Sequence, residues 1–144
     1  RFEIVTYLKK IYDKKFVLIG EDWRKYSIDS LKSNYDTKKN KKIYKGNICL
    51  DTGSLEGSSS LYPRANQIIE SGGLIVQNYA LDASEHWKDL KQDLLFKNFD
   101  ELRNIIDKLI NNLELSNILL DKIYKHFKNS SISMEETLNR YFSK

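Results

Sequence analysis

Apolar residues recur at helical spacing from the start of the chain. Phe2, Val5, Leu8, Ile11 and Tyr12 share one face of an amphipathic helix over about residues 2–14. Phe16-Val17-Leu18-Ile19 is then a short unbroken apolar run that stops at Gly20, the pattern of a buried parallel strand. Residues 21–36 are irregular, with Trp23 and Tyr26 as expected packing anchors. A lysine-rich helix from about Asp36 to Tyr44 follows, closed by Gly46 where a helix C-cap favours glycine. Asn47 to Asp51 reads as a second strand and Leu61 to Ser71 as a helix ended by Gly72-Gly73. Leu74-Ile75-Val76-Gln77 is a third strand, and a short fourth is predicted at Asp93-Leu94-Leu95-Phe96.

Beyond Phe96 the pattern turns helical. Asn98 with Glu101 has capping-box spacing, and Leu102, Ile105, Ile106, Leu109 and Leu113 form the stripe behind it. A further helix carries Leu119, Ile123 and Phe127, and a last one begins at Ser133 with Glu136 and carries Leu138 and Phe142. Strands that alternate with helices imply a parallel sheet flanked by helices. The expected fold is therefore α/β, a single Rossmann-like domain over residues 1–144 with a helical C-terminal extension.

Composition fits that picture. The 144 residues are 40% hydrophobic and 12% aromatic, enough for a core, and the 31% charged residues are of mixed sign. No run approaches the roughly 20 apolar residues of a membrane helix, and no signal peptide opens the chain. It starts at Arg1 in helix-like sequence, so an incomplete polypeptide with a preceding partner domain is expected. The single cysteine, Cys49, excludes an internal disulfide; within Ile48-Cys49-Leu50 it reads as a buried structural thiol in a reducing, cytoplasmic compartment. The net charge of +4 rests on lysine clusters with few arginines and no nucleic-acid motif. A basic surface that meets an anionic nucleotide or lipid headgroups is as natural a reading.

The candidate chemistry lies at the C-terminal ends of the strands, where parallel α/β sheets hold ligands. One loop there follows the first strand at Gly20-Glu21-Asp22-Trp23. The other is the small-residue stretch Thr52-Gly53-Ser54-Leu55-Glu56-Gly57-Ser58-Ser59-Ser60, which leads into a helix start. Glycine and serine allow close backbone approach, and the free N–H groups of a helix start attract phosphate. Arg64, in the first turn, is a permanently charged planar donor. A Ser/Gly-rich loop is more often only a loop, and this one matches neither a Walker A nor a dinucleotide fingerprint.

Tyr62-Pro63-Arg64-Ala65-Asn66-Gln67-Ile68-Ile69-Glu70-Ser71-Gly72-Gly73-Leu74-Ile75-Val76 resembles the C-terminal motif of the bacterial glycosyltransferase group 1 family, notably its spore-maturation-protein-like branch. Supporting segments occur in consistent order over about residues 1–130: Phe16 to Trp23, Ile43-Tyr44 to Leu50, Asp93-Leu94-Leu95-Phe96 and Asp100-Glu101-Leu102. The resemblance implies the donor-binding half of a GT-B glycosyltransferase, which binds a nucleotide-diphosphate sugar for transfer to an acceptor held by a missing N-terminal domain. It implies no cofactor and a metal-independent reaction, with the helix dipole and basic groups stabilising the leaving diphosphate. The acceptor (glycan, lipid or protein) is unspecified, and a place at the inner face of the membrane is compatible. Position by position, Arg64 matches the family's arginine, while its ribose-binding glutamate falls on Gln67 and a second glutamate on Ser59. Glutamine still bonds a hydroxyl, without charge assistance. The implied nucleotide-sugar contacts are Ser58, Ser59 and Ser60 on phosphate with Arg64, Gln67 on ribose, and Gly20 and Asn78 nearby; the catalytic group is unassigned.

Other residues have plainer readings. His86 and His126 are too far apart in sequence to suggest a ligand pair, and His126 beside Phe127 reads as structural. Asp51 and Glu56 are acid/base candidates near the loop, though caps and solvated charges are the commoner fate of such residues; Glu70 reads as a solvated helix residue, and Asn78-Tyr79 as pocket contacts. Two rivals stand beside the transferase: a non-catalytic interaction module derived from the same domain, and a basic nucleic-acid-binding domain.

Overall fold

A strand exists only where its backbone finds partners, and the chain divides on that rule. The computed structural model describes residues 1–21, 23–32, 36–52 and 63–130. They fall into two compact units, Arg1–Asn40 and the residues from Lys41 on. Ser58, Ser59, Ser60 and Glu56, and the helix expected from Ser133, lie outside the described residues.

In the first unit, helix α1 (Phe2–Tyr12) buries Val5 and Leu8 and ends in a single 3-10 turn at Asp13–Lys15. Phe16-Val17-Leu18-Ile19 does not form the predicted buried strand. It makes one isolated parallel bridge, Ile19 to Leu31, with Gly20 N–H donating to Leu31 O at 2.9 Å and Leu31 N–H to Leu18 O at 2.8 Å. Val17 stays 59% exposed. Gly20 then takes φ +145°, a backbone open to glycine and strained for other residues, and a Cβ there would meet Trp23 Nε1 at 3.1 Å. A second 3-10 turn, Trp23–Tyr26, follows at once. Its aromatic rings gather with Phe2: Tyr26 lies 4.9 Å from Phe2 and 6.3 Å from Trp23 between ring centroids.

Helix α2 (Thr37–Tyr44) ends as expected at Gly46, whose φ of +71° is the left-handed C-cap conformation. From there the second unit is α/β. Strands β1 (Ile48–Asp51), β2 (Leu74–Asn78) and β3 (Leu95–Phe96) form a parallel open sheet in the order β1-β2-β3, a Rossmann-like layout. Its register pairs Ile48 with Leu74 through Asp51 with Gln77, then Gln77 with Leu95 and Asn78 with Phe96. In β2 the residues Leu74 to Gln77 are all buried. Since alternate side chains point to opposite faces, both faces of this central strand are covered.

Between β1 and β2 runs helix α3 (Pro63–Glu70), which opens on a proline where the first turn tolerates one and packs against both strands. Its end is a Schellman motif: Gly73 N–H donates to Ile68 O at 2.9 Å and Gly72 N–H to Ile69 O at 3.0 Å, with Gly72 at φ +76°. Gly73 is needed for a second reason. A Cβ on it would lie 2.9 Å from Tyr44 O and 3.0 Å from both Cys49 Sγ and Ile68 Cγ2.

Two helices follow β2 where none was expected, α4 (Leu81–Trp87) and α5 (Lys91–Leu94), joined by the turn Lys88–Leu90. The predicted fourth strand is accordingly shorter; Asp93 and Leu94 are helical and only Leu95-Phe96 pair. Helix α6 (Phe99–Asn111) starts on the expected cap, with Asn98 Oδ1 accepting from Glu101 N–H at 2.9 Å. Glu101 reaches back one residue further than in the standard box, accepting from Lys97 N–H at 2.8 Å. Leu102, Ile105, Ile106 and Leu109 are buried as the stripe predicted. Leu113 is not: it begins helix α7 (Leu113–Ser130) and is exposed, because Asn112 ends α6 and caps α7 through Leu115 N–H at 2.9 Å. Leu119 and Ile123 carry α7 into the core, and α7 packs on α3, β2 and α6. No described helix is long and apolar enough to cross a membrane.

Candidate functional site

At the C-terminal ends of β1 and β2 the apolar core gives way to a chain of polar side chains. Asp51 closes β1 and is 1% exposed, and its register partner on β2 is Gln77, also buried. A buried polar group must find partners. Trp87, wholly buried at the end of α4, donates its indole N–H to Gln77 Oε1 at 2.7 Å. That bond fixes which way the amide faces, so Gln77 Nε2 points to Asp51 Oδ2, at 3.4 Å. Arg64, in the first turn of α3, brings Nη1 to 3.5 Å from Asp51 Oδ1. Both contacts to Asp51 are long, so each is a loose tether, and Asp51 has a further interaction beside them.

Arg64 therefore has two ends. One nitrogen leans on a buried carboxylate while the side chain remains 54% exposed. The guanidinium has five donors in a planar fork, so one tether leaves others to face an outside anion. Gln67 lies three residues on, on the same face of α3, and is half-buried. Glu70 is exposed, as a solvated helix residue should be. At the end of β2, Asn78 is exposed; the next residue, Tyr79, donates its N–H to Phe96 O at 2.7 Å. Lys97 Nζ sits 4.4 Å from the centre of the Tyr79 ring, a cation–π pair at the end of β3.

The electrostatics around this end of the sheet follow burial. Desolvation raises the Tyr44 phenol above its ordinary value, with the Arg64 charge pulling against it and Cys49 and Asp51 adding to it. Tyr44 thus lies within electrostatic reach of Arg64 and Asp51. Burial pushes the Cys49 thiol up to about 12. Burial thus favours the thiol over the thiolate, the form that would act as a nucleophile.

The expected contacts are thus distributed unevenly. Arg64 and Gln67 share a face of α3, and Asn78 ends the strand beside β1. Gly20 belongs to the first unit, where Ser30 Oγ donates to its carbonyl at 2.9 Å. Two expectations need correction. Asp51 is not a cap or a solvated charge but the buried centre of the polar chain. His86 and His126, read as too distant to pair, meet with ring centroids 4.8 Å apart.

Gln77 and Tyr44 entered the sequence reading only as strand and motif residues, and the contacts that join Gln77 to Trp87 and Asp51 were not foreseen. Among the described residues no group of three or more His, Cys, Asp or Glu side chains is arranged to hold a metal ion. A surface depression of about 320 Å³ lined by Lys88, Asp89, Lys91 and Gln92 involves none of the expected contacts. No family model, curated protein or solved structure matches the chain.

Proposed function

We propose that this chain is the donor-binding domain of a GT-B glycosyltransferase, holding the nucleoside diphosphate of an activated sugar at the C-terminal ends of β1 and β2. The observation that carries the reading is Arg64. It stands in the first turn of the helix that follows β1, steadied from behind by buried Asp51 and open to solvent in front. A phosphate placed there meets a loosely tethered cation and the positive end of a helix dipole. Gln67, on the same helix face, is suited to a ribose hydroxyl, and Asn78 to the far side of the ligand. Transfer itself needs an acceptor domain, so this chain alone binds nucleotide and transfers little sugar.

A nuclear magnetic resonance titration with UDP, GDP, ADP and CDP tests the donor-binding reading. The expected result is a saturable shift of the backbone amides of residues 64–67 and 77–79 with at least one of the four. Failure of all four at millimolar concentration overturns it.

One observation favours a second reading, a non-catalytic interaction module. Gln67 stands where the resembled family has a carboxylate, so ribose is held without charge assistance. Nucleotide binding with no transfer, even beside a supplied acceptor domain, would select that reading.

A further inference from the structure

His86, at the end of α4, and His126, on α7, pack edge to face with an interplanar angle of 88°. Both rings also lean on Trp87, at 4.7 Å from His86 and 5.7 Å from His126. In each imidazole the Nε2 atom is buried and has no hydrogen-bond partner. A neutral ring tolerates this, since its unprotonated nitrogen is a lone pair against apolar surroundings. A charged ring does not, because both nitrogens become donors and the new N–H has no acceptor. Two such rings in contact cannot both be charged without strong repulsion.

The third member of the cluster gives the pair a role. Trp87 is the donor that fixes Gln77, and Gln77 in turn fixes one side of Asp51. We propose that the His86–His126 pair is a proton-sensitive latch, which holds Trp87 on Gln77 while neutral and releases it when His86 takes up a proton. A charged ring gains water by swinging outward. His86 is the ring to move, since it adjoins Trp87 in sequence and precedes Lys88, whose φ of +46° already marks a strained joint. With Trp87 displaced, Gln77 loses its orientation, and Asp51 is left to draw Arg64 inward.

Lys88, from the turn beyond its own helix, and His126, from α7, both disfavour a proton on His86. Burial first, then His126 and Lys88, hold the His86 pKa below its ordinary 6.5. The unfolded chain therefore binds the proton more readily than the folded one. Stability from this group is fully present above pH 6.5 and is lost as the pH falls through the folded-state value.

The test follows the Trp87 indole N–H by nitrogen-15 resonance, with Trp23→Phe removing the other indole signal. Between about pH 8 and pH 5, the Trp87 signal is expected to shift, with a midpoint below 6.5. In His126→Asn the midpoint rises toward 6.5, and in His86→Asn the acid shift disappears. An indole signal that ignores pH over that range overturns the latch, as does the same midpoint in wild type and both variants.

The consequence for ligand rests on the nucleotide reading: the affinity for whichever of UDP, GDP, ADP and CDP binds should fall about fivefold from the high to the low end of that range. An indole that titrates in a protein that binds no nucleotide would leave the latch standing and remove the nucleotide reading. A bound nucleotide with a pH-silent indole would do the reverse.

Discussion

Phe16-Val17-Leu18-Ile19 and Leu74-Ile75-Val76 are nearly interchangeable as apolar runs, yet only the second becomes a buried strand. The second pairs along its whole length with β1, and its strand goes on to pair with β3 at Gln77 and Asn78. It is also entered from a fixed point, since the Schellman turn of Gly72 and Gly73 ends α3 and starts β2 in one stroke. Among the described residues the first has a single bridge, to Leu31, and an exposed valine. The difference teaches that β-propensity reports a surface suited to pairing. Partners and a defined entrance decide whether that surface is used.

The comparison breaks most directly at Ile75. It is fully buried, so Ile75→Ala should lower unfolding free energy by about 2–5 kcal/mol in urea denaturation. A cost close to zero would mean that β2 is not the centre of the core. The entrance to the strand is probed next. Gly73→Ala places a methyl group against Tyr44 O, Cys49 Sγ and Ile68, and should cost about 1–3 kcal/mol in the same assay. If it is neutral, helix α3 and β1 do not approach as closely as that turn requires. Asn98→Ala removes the side-chain cap of α6 and should cost about 1 kcal/mol. The weakest effect belongs to the other run: Val17→Ala should change stability by no more than about 0.5 kcal/mol. A large loss there would show that Phe16–Ile19 has partners its single bridge does not reveal.

The parts legible in sequence were those with a local cause. Gly46, Gly72 and Gly73 announced helix ends because only glycine suits the left-handed backbone and close packing there. Asn98 and Glu101 announced a helix start, and the apolar spacing of α6 named its buried face. Helix α4 gave no such signal. Its N-cap is Ala80, without a side-chain hydrogen bond, and of its seven residues only Trp87 is buried while Leu81 is exposed. A helix with one anchor has no stripe to read. Leu113 misled for the opposite reason: it continued the spacing of α6 but lay beyond the break at Asn112.

The site divided in the same way. Arg64 and Gln67 were legible because helical spacing alone puts them on one face. Asp51, Gln77 and Trp87 were not, since their contacts depend on strand register and on a helix that the pattern did not reveal. His86 and His126 come from separate helices, and only tertiary packing makes them neighbours. Local rules place single residues; the register of β1 against β2 assembled them into a chain.

Among the described residues, Arg64 is the one expected contact found both held from within and open without, and it carries the nucleotide reading. Calorimetric titration of the wild type and Arg64→Ala with UDP, GDP, ADP and CDP tests it most directly. The account predicts saturable binding of at least one nucleotide by the wild type, weakened about tenfold or more in the variant through loss of a charge-assisted bond. Equal affinity in the two proteins, or no binding of any nucleotide at millimolar concentration, would contradict it.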